Sequence, residues 1–424
     1  MTPLTEASAE EHLLGICFKI GPPRLIGVEA EWFVHDDRCP DSPVDPDRVA
    51  AALTALPTHP DGPRFPAGAR LTREPGGQVE LSSLPAESPE NCAADLLADH
   101  AALRSALASQ GLRLTGSGTD PVARERRMQA AHPRYRAMER YFDSAGPWGR
   151  IMMCGTASVQ VSVDAGTEPR FAERWQLTHR LGPVLVAAFA NSPLLDGRPT
   201  GYRSTRQMVW SRMDPSRTLA PPPDGDPRDV WSRYVLDARV LCVRRSDGVP
   251  WTAPAGLTFR DWLRGAGDRA ATLADLDYHR TTLFPPVRPR GHLELRMIDA
   301  QPGDGWLVPL ALVSALLDDP IATDTALAAL ERLDHDGATP PPRSGLWQRA
   351  AVRGMADPEL RRAALVCFAA ADRALARRGA DGPLRKALGE FAERYPARGR
   401  CPADDQLDGL RADVRPAPEE GAPC

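Results

Sequence analysis

Four short runs of this chain alternate apolar and polar residues with the period of a β-strand, and in three of them glutamates occupy the polar positions. In Ile26-Gly27-Val28-Glu29-Ala30-Glu31-Trp32, period two puts Ile26, Val28, Ala30 and Trp32 on one side and Glu29 with Glu31 on the other. Gln78-Val79-Glu80-Leu81-Ser82 opposes Val79 and Leu81 to Gln78, Glu80 and Ser82. Thr156 to Val163 repeats the pattern with Ser158, Gln160 and Ser162 as its polar set, and His292 to Ile298 sets Glu294 and Arg296 against Leu293, Leu295 and Met297. If the four strands share one sheet, a single face gathers Glu29, Glu31, Glu80 and Glu294 with Gln160 and Arg296.

A solvated face of an antiparallel sheet also alternates, but glutamate is depleted in strands. Two carboxylates about 5 Å apart repel by roughly 3 kcal/mol at an effective dielectric near 20. Four of them with one arginine call for cations, and hard divalent ions with oxygen ligands, such as magnesium bridging carboxylates to nucleotide phosphates, answer that need. Mg-ATP is the expected ligand.

Composition narrows the chemistry further. Of 52 basic residues only Lys19 and Lys386 are lysines. No Gly-Lys-Ser/Thr phosphate loop exists, and Schiff-base chemistry lacks a suitable residue. Gly116-Ser117-Gly118 lacks the third glycine of a dinucleotide fingerprint and reads as a turn. No HExxH pair or GxSxG elbow occurs, and Cys154 reads as a packed thiol. A net charge of -4 without a basic cluster argues against nucleic acid. The apolar run Leu13–Ile20 is too short for a membrane span. Eight scattered cysteines suit a reduced, cytoplasmic protein.

Along the chain, Ser8-Ala9-Glu10-Glu11 reads as a capping box, and helices are expected near Val49–Leu56, Ser88–Gln110, Tyr135–Phe142 and Glu173–Asn191. Strands are expected at Leu112–Leu114 and Leu236–Val243. Pro75-Gly76-Gly77 reads as a type II turn, and the Pro-rich run Asp214–Asp229 as a long loop of the functional or mobile kind. The expected divisions are a catalytic part over 1–333, a linker at 334–345, a helical C-terminal part over 346–412 and a disordered tail at 413–424.

Gly27-Val28-Glu29-Ala30-Glu31 and Glu74-Pro75-Gly76-Gly77-Gln78-Val79-Glu80-Leu81-Ser82 resemble two core motifs of glutamate-cysteine ligases of the plant and actinobacterial type. Arg134-Tyr135-Arg136-Ala137-Met138, Thr156–Val161, Phe189-Ala190-Asn191-Ser192-Pro193 and Thr282-Leu283-Phe284-Pro285 running on to His292–Arg296 fit in the same order. The likeness covers roughly residues 20 to 320 and is greatest to the actinobacterial enzymes of ergothioneine biosynthesis.

The resemblance implies an α+β, glutamine-synthetase-like fold, an antiparallel sheet bent into a funnel with helices on its outer face. It implies ATP-dependent joining of L-glutamate to L-cysteine through γ-glutamyl phosphate, with two or more magnesium ions. By position, Glu29, Glu31, Glu80 and Glu294 would be metal ligands, and Gln160 a metal or nucleotide contact. Arg296 would meet the transferring phosphoryl group, with Glu29 beside it in the catalytic set. Arg206 would lie near the substrate glutamate, Gln78 would also bind substrate, and Tyr234 would sit near cysteine.

Overall fold

In the computed structural model, residues 4–59, 62–222, 225–246, 248–333, 339–379 and 382–412 are described. The runs 334–338 of the expected linker and 413–424 of the expected tail lie outside them.

The alternating runs become strands of one antiparallel sheet. Its strands are β1 (Ile26–Asp36), β2 (Arg70–Arg73), β3 (Val79–Ser82), β4 (Leu112–Thr115), β5 (Ser158–Val163), β6 (Val287–Pro289) and β7 (Leu293–Asp299). The spatial order is β6-β7-β5-β1-β3-β2, and β4 pairs with the far half of β1. β1 is the long central strand. Its first half pairs with β5, where Glu29 faces Gln160, and with β3, where Glu31 faces Glu80.

The opposite face of β1 carries Val28, Ala30 and Trp32, which are buried. Against the apolar side lie the Pro89–Ala108 helix and the Leu307–Asp318 helix. The second is apolar all round, and every residue from Leu307 to Leu317 is buried, as expected of a helix in the middle of a core. The helices Pro320–Leu330, Pro358–Arg377 and Pro383–Arg394 close around it, and their apolar residues join the same core as the strands.

Several expectations are displaced. The first helix is capped by Thr5 with Ser8 as its reciprocal partner, three residues earlier than expected. Leu236–Val243 is not a strand: Asp226 caps a helix over Pro227–Asp237, and the following residues make only isolated bridges, Arg239 with Thr258 and Cys242 with Thr252. Val240, Leu241, Cys242 and Val243 form a continuous apolar run because all four are in the interior.

The β2–β3 turn carries its left-handed residue at Gly77 (φ 90°) rather than Gly76, with the Gly77 N–H on the Glu74 carbonyl, which excludes type II. Gly76 is required for a different reason, because a Cβ there would stand 2.4 Å from the Cys154 backbone.

The Asp214–Asp229 run begins with a helical turn, Pro215–Thr218, that is bolted down. The fully buried Arg217 donates to Asp214 (3.0 Å) and to the carbonyls of Thr282 (2.9 Å) and Arg239 (2.7 Å). That anchoring fixes the first turn of the run.

Candidate active site

The polar face of the sheet floors a cleft of about 490 Å³. Glu29 and Glu31 of β1, Glu80 of β3, Glu74 of the adjoining turn, Gln78, and Gln160 of β5 all line it. The helices Pro133–Asp143, Trp148–Gly155 and Thr205–Ser211 supply walls that include Tyr135, Met138, Met152, Arg206 and Trp210.

The carboxylates differ in how they are satisfied. Glu31 accepts from the Ser158 N–H (2.9 Å), the Ser158 hydroxyl (2.8 Å) and the Gln160 amide (3.1 Å). The Glu29 carboxylate has no hydrogen-bond partner among the described residues, and burial with the nearby Glu294 charge raises its carboxyl above the ordinary range. Burial, then the charges of Glu29, Glu31 and Glu74, push Glu80 well above that range. Burial and Glu31 push Glu74 up to about 7. This end of the cleft holds more negative charge than its surroundings balance.

Glu294 is the exception. It is fully buried, and its oxygens accept from Arg288 Nε (2.7 Å), Arg296 Nη1 (2.8 Å) and Arg290 Nη1 (3.2 Å). Burial alone would raise its carboxyl, but the three arginines hold it well below the usual range. The expectation of an acidic face with one arginine therefore needs correction, since three arginines surround Glu294. β6 and β7 form a hairpin that sets Arg288 directly opposite Glu294, and in this conformation Glu294 organises cations instead of facing the cleft.

Arg296 sits where β7 slips register, between Leu295 and Ile298; bulges of this kind commonly re-aim a side chain beside an active site. Its Nη1 is shared between Glu294 and the side-chain oxygen of Gln160, and its Nε is buried without a partner among the described residues. Arg206 is buried in the wall with Nη2 on the Arg296 carbonyl (2.9 Å), while Nη1 makes no hydrogen bond among the described residues and lies 3.9 Å from the Asp299 carboxylate. Gln78 donates to the Thr156 carbonyl (2.9 Å), which leaves its own buried Oε1 without a donor.

Tyr234 does not join them. Its ring stacks on Trp231 at 5.2 Å, its hydroxyl is buried without a partner among the described residues, and it does not line the cleft. The helix that replaced the expected strand turns it into the interior.

The sequence reading missed the arginines. Arg70, Arg134, Arg280, Arg288 and Arg290 line the cleft beside Arg206 and Arg296. A signal existed for two of them, since Val287-Arg288-Pro289-Arg290 already alternates with strand period just before the expected strand. Glu74 was visible only as an acidic residue beside a turn.

The unbalanced charge of Glu29, Glu80 and Glu74, with oxygen-only donors around it, fits a hard divalent cation. Among the described residues no three His, Cys, Asp or Glu side chains already enclose a single ion position. The donors thus fit in kind, with no preformed cage.

The family model described as Glutamate-cysteine ligase family 2 (GCS2) matches residues 25–420. The glutamate–cysteine ligase EgtA of Mycolicibacterium smegmatis is 40% identical over 97% of this chain and 95% of its own length. The chloroplastic glutamate–cysteine ligase of Medicago truncatula is 33% identical over 55% of this chain and 47% of its own. A crystal structure of glutamate–cysteine ligase from Francisella tularensis in complex with AMP has a TM-score of 0.52 at 13% identity, covering 93% of this chain and 86% of that one, a likeness of fold. The match through both the acidic strands and the C-terminal helices leaves one conclusion: this chain belongs to glutamate-cysteine ligase family 2.

Proposed function

We propose that the chain is an ATP-dependent glutamate–cysteine ligase that activates the γ-carboxylate of L-glutamate as γ-glutamyl phosphate and joins it to the amine of L-cysteine, releasing ADP and phosphate. Its relation to EgtA over nearly the whole length supports a place in ergothioneine biosynthesis. A cytoplasmic location is part of the same reading: no helix among the described residues is long and apolar enough to cross a membrane, and Cys17, Cys92, Cys154, Cys242, Cys367 and Cys401 are free thiols.

The observation that carries the reading is one cleft with a carboxylate end and an arginine end. Magnesium held by Glu29, Glu31 and Glu80, with Glu74 beside them, would neutralise phosphate oxygens at the first end. Carboxylate attack on the γ-phosphate sets anion against anion, so preorganised positive charge is the main catalytic requirement. Arg296 meets it: Glu294 and Gln160 hold its guanidinium at the junction of the two ends, and the charges of Glu294, Glu29 and Glu31 keep it protonated against burial. Gln160 braces Arg296 through its oxygen and Glu31 through its nitrogen, coupling the two ends.

Arg206 carries an unused donor and Gln78 an unused acceptor, a pairing suited to the α-carboxylate and amino group of an amino acid. The wall of Met138, Met152, Tyr135 and Phe284 gives the apolar side on which a thiol-bearing acceptor and its acyl-phosphate partner stay away from water.

Incubation with ATP, magnesium and a mixture of amino acids, followed by mass identification, tests the proposal. γ-Glutamylcysteine is the expected product; a different dipeptide under the same conditions would reassign the acceptor.

A further inference from the structure

Arg206 is held from outside the cleft. Its Nη1 lies 3.9 Å from the buried carboxylate of Asp299, at the end of β7. Asp299 accepts from the Asn191 N–H (3.0 Å), the Ser192 hydroxyl (2.6 Å) and the Ser204 hydroxyl (3.0 Å). Ser192 Oγ in turn accepts the Arg206 N–H (3.1 Å), and Ser204 caps the helix that begins at Thr205.

The Gly116-Ser117-Gly118 run makes room for this carboxylate: a Cβ on Gly118 would stand 2.4 Å from its carboxyl carbon.

Behind Asn191 comes the C-terminal helix Pro402–Ala412. Gln406 Nε2 donates to the Asn191 side-chain oxygen (2.6 Å) and carbonyl (3.0 Å) and approaches Ser117 Oγ (3.3 Å). The Ala403 N–H bonds the Ala190 carbonyl (2.9 Å), and Asp404 accepts from Arg203 Nε (2.7 Å). One helix therefore grips both ends of the segment that runs from Ala190 to Arg203, just before Arg206.

We propose that this helix is a positioning device for the amino-acid donor site, with Gln406 acting through Asn191 and Asp299 to fix the Arg206 guanidinium. The inference rests on the reading of Arg206 as the residue that meets the substrate glutamate. Hydrogen bonds run from Gln406 to Asn191 and on to the Asp299 carboxylate that faces Arg206, and in a buried, low-dielectric setting such bonds restrict geometry; displacing a positioning group by about 1 Å can cost a hundredfold in rate. Gln406 is a positioning residue that never reaches the substrate.

The test uses the full-length enzyme with Gln406→Ala, measuring KM for glutamate, cysteine and ATP, kcat and the melting temperature. The glutamate KM is expected to rise about tenfold while the ATP KM stays within about twofold. Gln406→Glu, of the same size, sets a carboxylate against two oxygens of Asn191 and is expected to raise it further. Asp408→Ala on the same helix removes only pairs with Arg400 and Arg411 and is expected to leave all three constants unchanged.

An unchanged glutamate KM in folded Gln406→Ala overturns the proposal, as does a parallel rise in all three KM values. Should that variant fail to fold, Gln406→Glu and Asp404→Asn are read by the same criterion. Arg206→Ala separates the two layers. If it leaves the glutamate KM unchanged, the reading of Arg206 fails; if it raises that KM and Gln406→Ala does not, the relay alone fails.

Discussion

Glu29 and Glu294 are the same residue type on the same face of one sheet, yet their surroundings treat them oppositely. Glu29 is a half-buried carboxylate facing like charge, whereas three arginines neutralise Glu294. Glu29→Gln is therefore expected to abolish turnover while raising the melting temperature of the metal-free protein by about 1–3 °C, because it removes a repelled charge. Glu294→Ala strands three arginines and is expected to cost about 3–5 kcal/mol, seen in urea unfolding, together with activity. Arg296→Lys keeps the charge and loses the planar fork, so kcat is expected to fall by about a hundredfold in steady-state assays. Strand alternation alone revealed every one of these residues; it could not reveal that Arg288 and Arg290 would fold back opposite Glu294, because that depends on a hairpin turned at Gly291, which has φ of 86°.

At the level of elements, close approach and burial decide more than propensity. Gly76→Ala would drive a methyl into the Cys154 backbone and lift the β2–β3 turn from the cleft, with Glu74 on it. Its expected signature is a loss of magnesium-dependent activity larger than the loss of thermal stability. Two buried histidines make the fold weaker in acid. Burial pulls the His279 imidazole down to about 3, where it bonds the Val235 carbonyl (2.9 Å), and the His179 imidazole down to about 4. Both stay neutral in the fold but take up a proton near pH 6.5 when unfolded, so their contribution is complete above about pH 6.5 and is lost as pH falls toward 4. Urea midpoints are expected to decline over that window, and His279→Gln to flatten the decline. The sheet and most helices were legible because their periodicity is strong. The Pro227–Asp237 helix was not, because the continuous apolar run 240–243 that follows it, buried on every side, reads as a strand and masks its boundary.

Over the whole molecule, the C-terminal helices share the core of the sheet: the apolar faces of Pro358–Arg377 and Pro383–Arg394 pack around Leu307–Asp318. A chain ended at residue 345 would uncover that helix, and it is expected to be insoluble or to lose cooperative unfolding, as judged by calorimetry. The composition of 346–412 announced helices but not their partner, since amphipathic faces do not say what they cover. The central claim is that one cleft, acidic at one end and arginine-lined at the other, makes the glutamate γ-carboxylate attack ATP. Glutamate labelled with ¹⁸O in that carboxylate, turned over with ATP, magnesium and cysteine, tests it most directly. The expected result is one labelled oxygen in each phosphate released, whereas phosphate free of label alongside γ-glutamylcysteine would contradict the mechanism.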